Sequence, residues 1–145
     1  VAELKQAGRD NFTEIPNGSP GAGDRLHMLW TEGVAKGRIS RQKFVDVFAT
    51  APAKANGIYP RKGALEVGSD ADIVIFDPDY RGVIRLEDNP NGVDYNVYEG
   101  RPMVGRAETV LLRGNVVVEN AKFVGHLGQG QFIPAKMYAS GYDVK

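Results

Sequence analysis

The sequence predicts an α+β chain in which helices come first and strands follow, with the change at residues 59–78, YPRKGALEVGSDADIVIFDP. Three observations predict it. Leu26, Leu29, Trp30 and Val34 recur at the spacing of one helix face. Residues 71–76 run almost wholly apolar with β-branched side chains, the pattern of a buried strand. Residues 109–124 divide into three β-rich runs separated by Gly114 and by Glu119-Asn120-Ala121, the pattern of a three-stranded meander.

Taken in order, residues 1–23 show little periodicity, and Ile15-Pro16-Asn17-Gly18-Ser19-Pro20-Gly21 gathers turn formers into a loop of defined shape. A helix is expected over 24–36, ended by Gly37 in a left-handed conformation. Ser40 is placed to cap a second helix through 49, with Phe44, Val47 and Phe48 on its inner face. Thr50 is placed to cap a third, short helix. Pro52 falls in its first turn, where an amide has no intrahelical partner, and Gly57 ends it. A short segment at 64–67 leads to the strand at 71–76, which Asp77-Pro78 is expected to stop. Further strands are expected at 83–86, 109–113 and 115–118, with a weaker one at 122–124. Residues 88–105 form a long connection, and 125–145, with no period, read as an arm.

With 145 residues and 42% hydrophobic content the chain can build one ordinary core. It is shorter than the roughly 200 residues that a complete (β/α)8 barrel requires. Lys+Arg and Asp+Glu both number 18, so no broad basic surface for nucleic acid is indicated. The absence of cysteine excludes a disulfide framework and a thiol nucleophile. No apolar run approaches the roughly 18 residues of a membrane span, and the first ten residues lack the pattern of a signal peptide. A cytoplasmic protein with neither a membrane nor a nucleic-acid partner is expected. Because residue 1 is Val rather than Met, the chain is expected to be a piece of a longer one.

Candidate chemistry is sparse. His27 has no ligand type at i+4 and His126 sits among glycines, so for each a packed or surface histidine is preferred over a metal ligand. Asp70, Asp72, Asp77 and Asp79 read as carboxylates at the turns flanking a strand, because Val74 and Ile75 stand where a calcium loop needs a ligand and a glycine. Asn11-Phe12-Thr13 and Asn17-Gly18-Ser19 are chance matches to a glycosylation sequon. Gly125, Gly128 and Gly130 provide flexibility, and Arg61-Lys62 is a solvated or structural step at a turn. No catalytic residue and no metal ligand is expected in this chain. Read from residues alone, Asn17-Gly18 is a turn dipeptide.

The ordered stretches NFTEIPNG, FVDVFATAPAKANGIYPRKG, GSDADIVIFDPD, VDYNVYEG, VLLRGNVVVENAKFVG and GQGQFIP resemble the C-terminal part of cyclic amidohydrolases of the dihydropyrimidinase and D-hydantoinase family. The resemblance implies an α+β fragment. The last helices of a (β/α)8 barrel would occupy 1–62, the C-terminal strands of a small β-sandwich 63–125, and an extended oligomerisation arm 126–145. It also implies that Asn17 is a substrate-binding residue, presenting backbone groups to the ring amide of a cyclic ureide or imide. For a full-length enzyme it implies hydrolytic opening of dihydropyrimidine or hydantoin rings to N-carbamoyl amino acids, a step of pyrimidine catabolism. Two zinc ions with a carboxylated lysine would serve that reaction, held by motifs upstream of the matching segment. On this reading the chain itself binds no cofactor and is inactive alone. Its partners are then the remainder of its own polypeptide and further copies, as a homo-oligomer, in full length a tetramer. The rivals are a non-catalytic scaffold like the collapsin response mediator proteins, against which IPNG counts, and an independent assembly module. DNPNG at 88–92 departs from hydantoinase-like members, which often carry histidines there.

Overall fold

A computed structural model of the chain describes residues 2–89 and 92–136. Its first element, α1 (Ala2–Ala7), was not foreseen. AELKQA is composed of strong helix formers but is too short to show a period. The Asp94 carboxylate accepts from the Ala2 amide at 2.9 and 3.1 Å and ties the helix start to a distant loop. A single 3₁₀ turn, Phe12–Glu14, follows, with the Asn11 side chain accepting from the Thr13 amide at 3.2 Å.

The helix expected over 24–36 is present as α2, Arg25–Leu29 continuing without a break into the wider π turn Trp30–Val34. Gly37, at φ +69°, closes it. Ser40 caps the next helix as expected, its Oγ accepting from the Lys43 amide at 3.1 Å. The expectation of two separate helices is corrected. Arg41–Val45, Asp46–Thr50 and Ala51–Ala55 run on as one helix, α3, in which Thr50 has helical dihedrals and makes no cap. Pro52 explains both the error and its resolution. Its ring would press on the carbonyl four residues back in a regular α-helix, and the π turn just before it opens that spacing. Thr50 instead donates from Oγ1 to the Gly63 carbonyl at 2.8 Å. Of the expected inner face only Phe44 is buried, while Val47 and Phe48 remain partly exposed.

Four antiparallel strands follow in the order β1 (Ile73–Val83), β2 (Pro102–Leu112), β3 (Asn115–Glu119) and β4 (Lys122–Phe123). The expected meander of 109–124 is thus present, and β1 adds to it beside β2. Asp77-Pro78 does not end β1. It forms a bulge in which Asp77 Oδ1 accepts from the Asp79 and Tyr80 amides at 3.0 and 3.2 Å, after which Arg81–Val83 resume pairing with β2. A proline lacks the ladder donor, and a bulge is where that loss is harmless. The strand expected at 83–86 is therefore the tail of β1 plus a 3₁₀ turn at Leu86–Asp88. The connection expected to reach residue 105 gives way to β2 at Pro102, a strand whose start Pro102 and Gly105 obscured. Residues 64–67 form no strand. The Asp70 amide donates to the Arg61 carbonyl at 2.9 Å and pinches 62–69 into a loop with Leu65 and Val67 exposed. Nor is 71–76 a buried strand here: Val74 and Ile75 are 50% and 55% exposed.

Helices and sheet share one core. Trp30 of α2 meets Phe44 of α3 edge-on at 5.1 Å and Phe76 of β1 at 4.5 Å. Beside it, Thr31 Oγ1 accepts from the Val104 amide at 2.9 Å and donates to the Val104 carbonyl at 3.3 Å, so the helix continues the polar pairing of β2. Gly105 permits this closeness: at φ +76°, an added Cβ would lie 2.6 Å from Phe76 and 2.7 Å from Trp30. The covalent seam is fixed by charge. Lys62 Nζ contacts both Asp70, at 2.9 Å, and Asp72, while Asp72 Oδ1 accepts from the Arg113 amide at 2.8 Å. The arm begins after β4 with no regular structure through residue 136, tied down where Arg113 donates to the Gln129 carbonyl and the Lys136 amide to the Gly57 carbonyl. The rest of the expected arm, 137–145, lies outside the described residues. Among the described residues no helix is long and apolar enough to cross a membrane.

Two outcomes follow from this packing. Gly105→Ala should destabilise the chain by about 2–4 kcal/mol, from overpacking plus a strained φ. Gly114→Ala, also at positive φ but with open space around it, should lose only about 1 kcal/mol. Equal losses in urea unfolding would show that Gly105 is not a packing constraint.

The second outcome concerns pH. Burial alone would lower the Lys62 pKa, but hydrogen bonds to Asp72 and Asp70, and their charges, outweigh it and raise the pKa above the usual value. The hydrogen bond from Lys62 holds Asp70 below its usual value against the opposing effect of burial, with Arg61 adding to it. The stability linked to Lys62 is therefore complete below the ordinary lysine pKa and is lost as pH rises through the raised one. That linked to Asp70 is present above the ordinary carboxylate pKa and is lost as pH falls through the lowered one. Lys62→Met should abolish the alkaline decline and shrink the acidic one, which urea midpoints measured across pH will read. An unchanged profile would refute the assignment.

Candidate functional site

The loop between α1 and α2 is held at both ends and free in its middle. At its start, Lys5 of α1 donates from Nζ to the carbonyls of Pro16 and Gly18, at 2.7 and 2.8 Å. Gly8, buried at the end of the same helix, lies so close to Ile15 that any Cβ would collide with it. At its end, Gly21 packs beneath Tyr98 and Val97, where an added Cβ would sit 3.5 and 3.6 Å away. Asp24, buried where α2 begins, accepts at Oδ2 from Asn96 Nδ2 at 3.0 Å and from Asn89 Nδ2 at 3.2 Å. Asn96 is itself buried and accepts at Oδ1 from the Tyr98 amide at 2.8 Å. A buried carboxylate without such partners would be strongly destabilising, so these amides hold α2 and the 92–101 connection together.

Between these anchors stands Asn17. It is exposed, and among the described residues no hydrogen bond engages its backbone, its side chain or the amide of Gly18. Gly18 adopts φ +87°, and beyond its chain neighbours nothing lies within 4 Å of where a Cβ would sit. The arrangement offers a backbone donor and acceptor in a turn whose flanking carbonyls are already occupied by a lysine. That suits a planar ligand carrying adjacent N–H and C=O groups.

Among the described residues no hydrogen bond or ion pair brings the two histidines or the carboxylates of 70–79 to Asn17. His27 lies half-buried on α2, and burial lowers its pKa against the opposing pull of Asp24. His126 lines an open groove of about 470 Å³ with Arg113 and Gln129, between the β2–β3 hairpin and the arm. Asp70 and Asp72 are engaged by Lys62 and Asp77 by its bulge. Among the described residues no group of three or more His, Cys, Asp or Glu side chains comes together, so these residues do not fit a two-zinc centre. Lys5, Asp24, Asn96 and Asp94 were not anticipated. Asp24 and Asn96 are 72 positions apart and Ala2 and Asp94 are 92 apart, separations at which a single sequence carries no pairing signal.

Residues 21–122 match the family model described as the amidohydrolase family. The chain belongs to the amidohydrolase family. Within it, the similarity is to dihydropyrimidinases and D-hydantoinases. The chain is 46% identical over 136 residues to a D-hydantoinase of Geobacillus stearothermophilus, covering 94% of itself and 29% of that protein. It is 41% identical over 135 residues to a dihydropyrimidinase of Rattus norvegicus, covering 93% of itself and 26% of the relative. The crystal structure of dihydropyrimidinase from Brevibacillus agri superposes with a TM-score of 0.92 at 45% identity, over 97% of this chain and 31% of that one. This amidohydrolase chain thus spans under a third of the relatives it matches, and reproduces that portion of their fold.

Removing the lysine clamp should loosen the loop. In Lys5→Met the turn should gain fast backbone motion, read as lower NMR order parameters at Asn17 and Gly18, since hydrogen bonds from a charged donor to the flanking carbonyls are lost, while α2 and the sheet keep theirs. Unchanged order parameters at Asn17 and Gly18 would mean that Lys5 does not hold the turn.

Proposed function

We propose that this chain is the substrate-loop and sheet portion of a cyclic amidohydrolase that opens dihydropyrimidine or hydantoin rings to N-carbamoyl amino acids. The observation that carries the proposal is the doubly anchored turn that leaves the Asn17 backbone unoccupied, in a chain similar over nearly its whole length to D-hydantoinases. A cyclic ureide presents N–H and C=O along one edge, and a fixed backbone turn pairs with such an edge whatever the asparagine side chain does. Specificity then resides in backbone shape. On the same reading residues 1–62 belong to a barrel and 63–125 to a β-sandwich, while 126–145 serve as an arm between subunits of a homo-oligomer. The metal centre would be built from residues other than those described here, and the protein would act in the cytoplasm.

The test uses a polypeptide spanning the relatives' full length. It should open dihydrouracil or hydantoin, whereas the 145-residue chain should open neither. Gly18→Val should raise KM or lower kcat more than Asn17→Ala does, because the valine Cβ is strained at positive φ while the alanine keeps the backbone. Absence of turnover with both rings would overturn the function. Turnover with the reverse ranking would overturn only the role given to the backbone.

A further inference from the structure

We propose that Asn17 is a site of spontaneous, structure-gated modification, at which this turn converts to aspartate and isoaspartate while a second Asn-Gly pair in the same chain is protected. In the reaction the Gly18 amide nitrogen attacks Asn17 Cγ. The new N–Cγ bond closes a five-membered succinimide, the Cγ–Nδ2 bond breaks, and ammonia leaves with the proton from the glycine amide. Water then opens the ring. Attack at Cγ gives aspartate, and attack at the backbone carbonyl gives isoaspartate, which adds one methylene to the main chain. No redox partner or enzyme is required.

Three conditions favour that attack, and Asn17-Gly18 meets all of them. The nucleophilic amide must be free, the asparagine side chain must be free to rotate, and nothing must crowd the glycine. Neither the Gly18 amide nor Asn17 is engaged by a hydrogen bond among the described residues, and beyond its two chain neighbours no atom lies within 4 Å of the position a Gly18 Cβ would take. Asn56-Gly57 fails each condition. The Gly57 amide donates to the Lys54 carbonyl at 3.0 Å, and Asn56 Nδ2 donates to the Pro52 carbonyl at 2.8 Å. A Gly57 Cβ would run into the Lys136 carbonyl of the arm. These two of the chain's three Asn-Gly pairs share a dipeptide and differ in structure, so each serves as the other's control; Asn91 of the third pair, Asn91-Gly92, lies outside the described residues.

The consequence follows from the clamp. Lys5 holds the carbonyls on both sides of Asn17, so a backbone lengthened by one methylene cannot satisfy both bonds with the same geometry. Modification itself is independent of the proposed function. Its effect on catalysis rests on that reading.

The experiment is a time course of the 145-residue chain in mildly alkaline and mildly acidic buffer, followed by peptide mapping with mass spectrometry. The Asn17 peptide should gain the mass of an amide-to-acid change and split into aspartyl and isoaspartyl forms, faster in alkali. It should run roughly tenfold or more ahead of the Asn56 peptide, in keeping with two hydrogen bonds that hold only the latter. In the urea-unfolded chain the two sites should proceed at similar rates, and Asn17→Gln should abolish the reaction at position 17. If Asn56 keeps pace with Asn17 in the folded chain, or if Asn17 stays intact there while the unfolded chain reacts, the proposal is wrong. In the full-length polypeptide, an aged sample with modified Asn17 and undiminished turnover would leave the modification standing and remove the Asn17 backbone from substrate binding.

Discussion

The structure depends on one contact: Trp30 seated between α3 and β1. Its ring is 7% exposed, touches Phe44 and Phe76, and has the Arg41 guanidinium 5.9 Å from its centre. A residue of that size dominates the core of so small a unit, since the buried apolar residues described are otherwise Phe44, Ala53, Ile84 and Val117. Seating it demands a sheet backbone without a side chain at Gly105, and demands that β1 bulge opposite that glycine. It also fixes α2 in rotation and depth. Thr31, the next residue, then pairs with β2, and Asp24, at the start of the helix, is delivered to Asn89 and Asn96.

The loop that carries Asn17 is therefore shaped by parts of the chain far from it. Asp24 secures its exit to the 92–101 connection, and Asp94 of the same connection holds the start of α1, whose Lys5 secures the approach. One connection between β1 and β2 thus fixes both ends of the turn. This arrangement uses polar contacts where a hydrophobic one would be easier to build. Its merit is directional: a buried carboxylate with two amide donors has few alternative geometries, whereas apolar contacts tolerate sliding. The middle of the loop is left open, which frees the Asn17 backbone for a ligand and also exposes it to attack by its neighbour.

Local signals were legible in the sequence and long-range polar pairings were not. Ser40, Gly37 and Gly114 acted as their residue types predict, because capping and left-handed turns are decided within a few residues. Pro52 and Pro78 misled for a common reason. Each was read as a boundary, and in each case the chain widened locally, by a π turn or a bulge, and went on. Pro102 and Gly105 likewise hid the first half of β2, whose pairing is imposed by β1 rather than by its own composition. At the loop, the Asn-Gly turn was legible. Lys5 as its clamp was not, since any lysine on a short polar helix looks solvated until its partners are placed.

One mismatch between sequence and structure bears on the proposed function. Residues 71–76 are composed like a strand covered on both faces, yet Val74 and Ile75 are half exposed. Adjacent strand residues point to opposite faces, so the uncovered surface lies on both sides of β1. Among the described residues β1 pairs only with β2, so its other edge is free as well. A sequence that spends β-branched residues on both faces of an edge strand fits a strand that is interior in its working state, since exposed apolar edges invite non-specific pairing. That reading agrees with a chain that spans under a third of its relatives' length and reproduces their fold over that span. The apolar face of β1 is then the surface on which the rest of the proposed enzyme would pack.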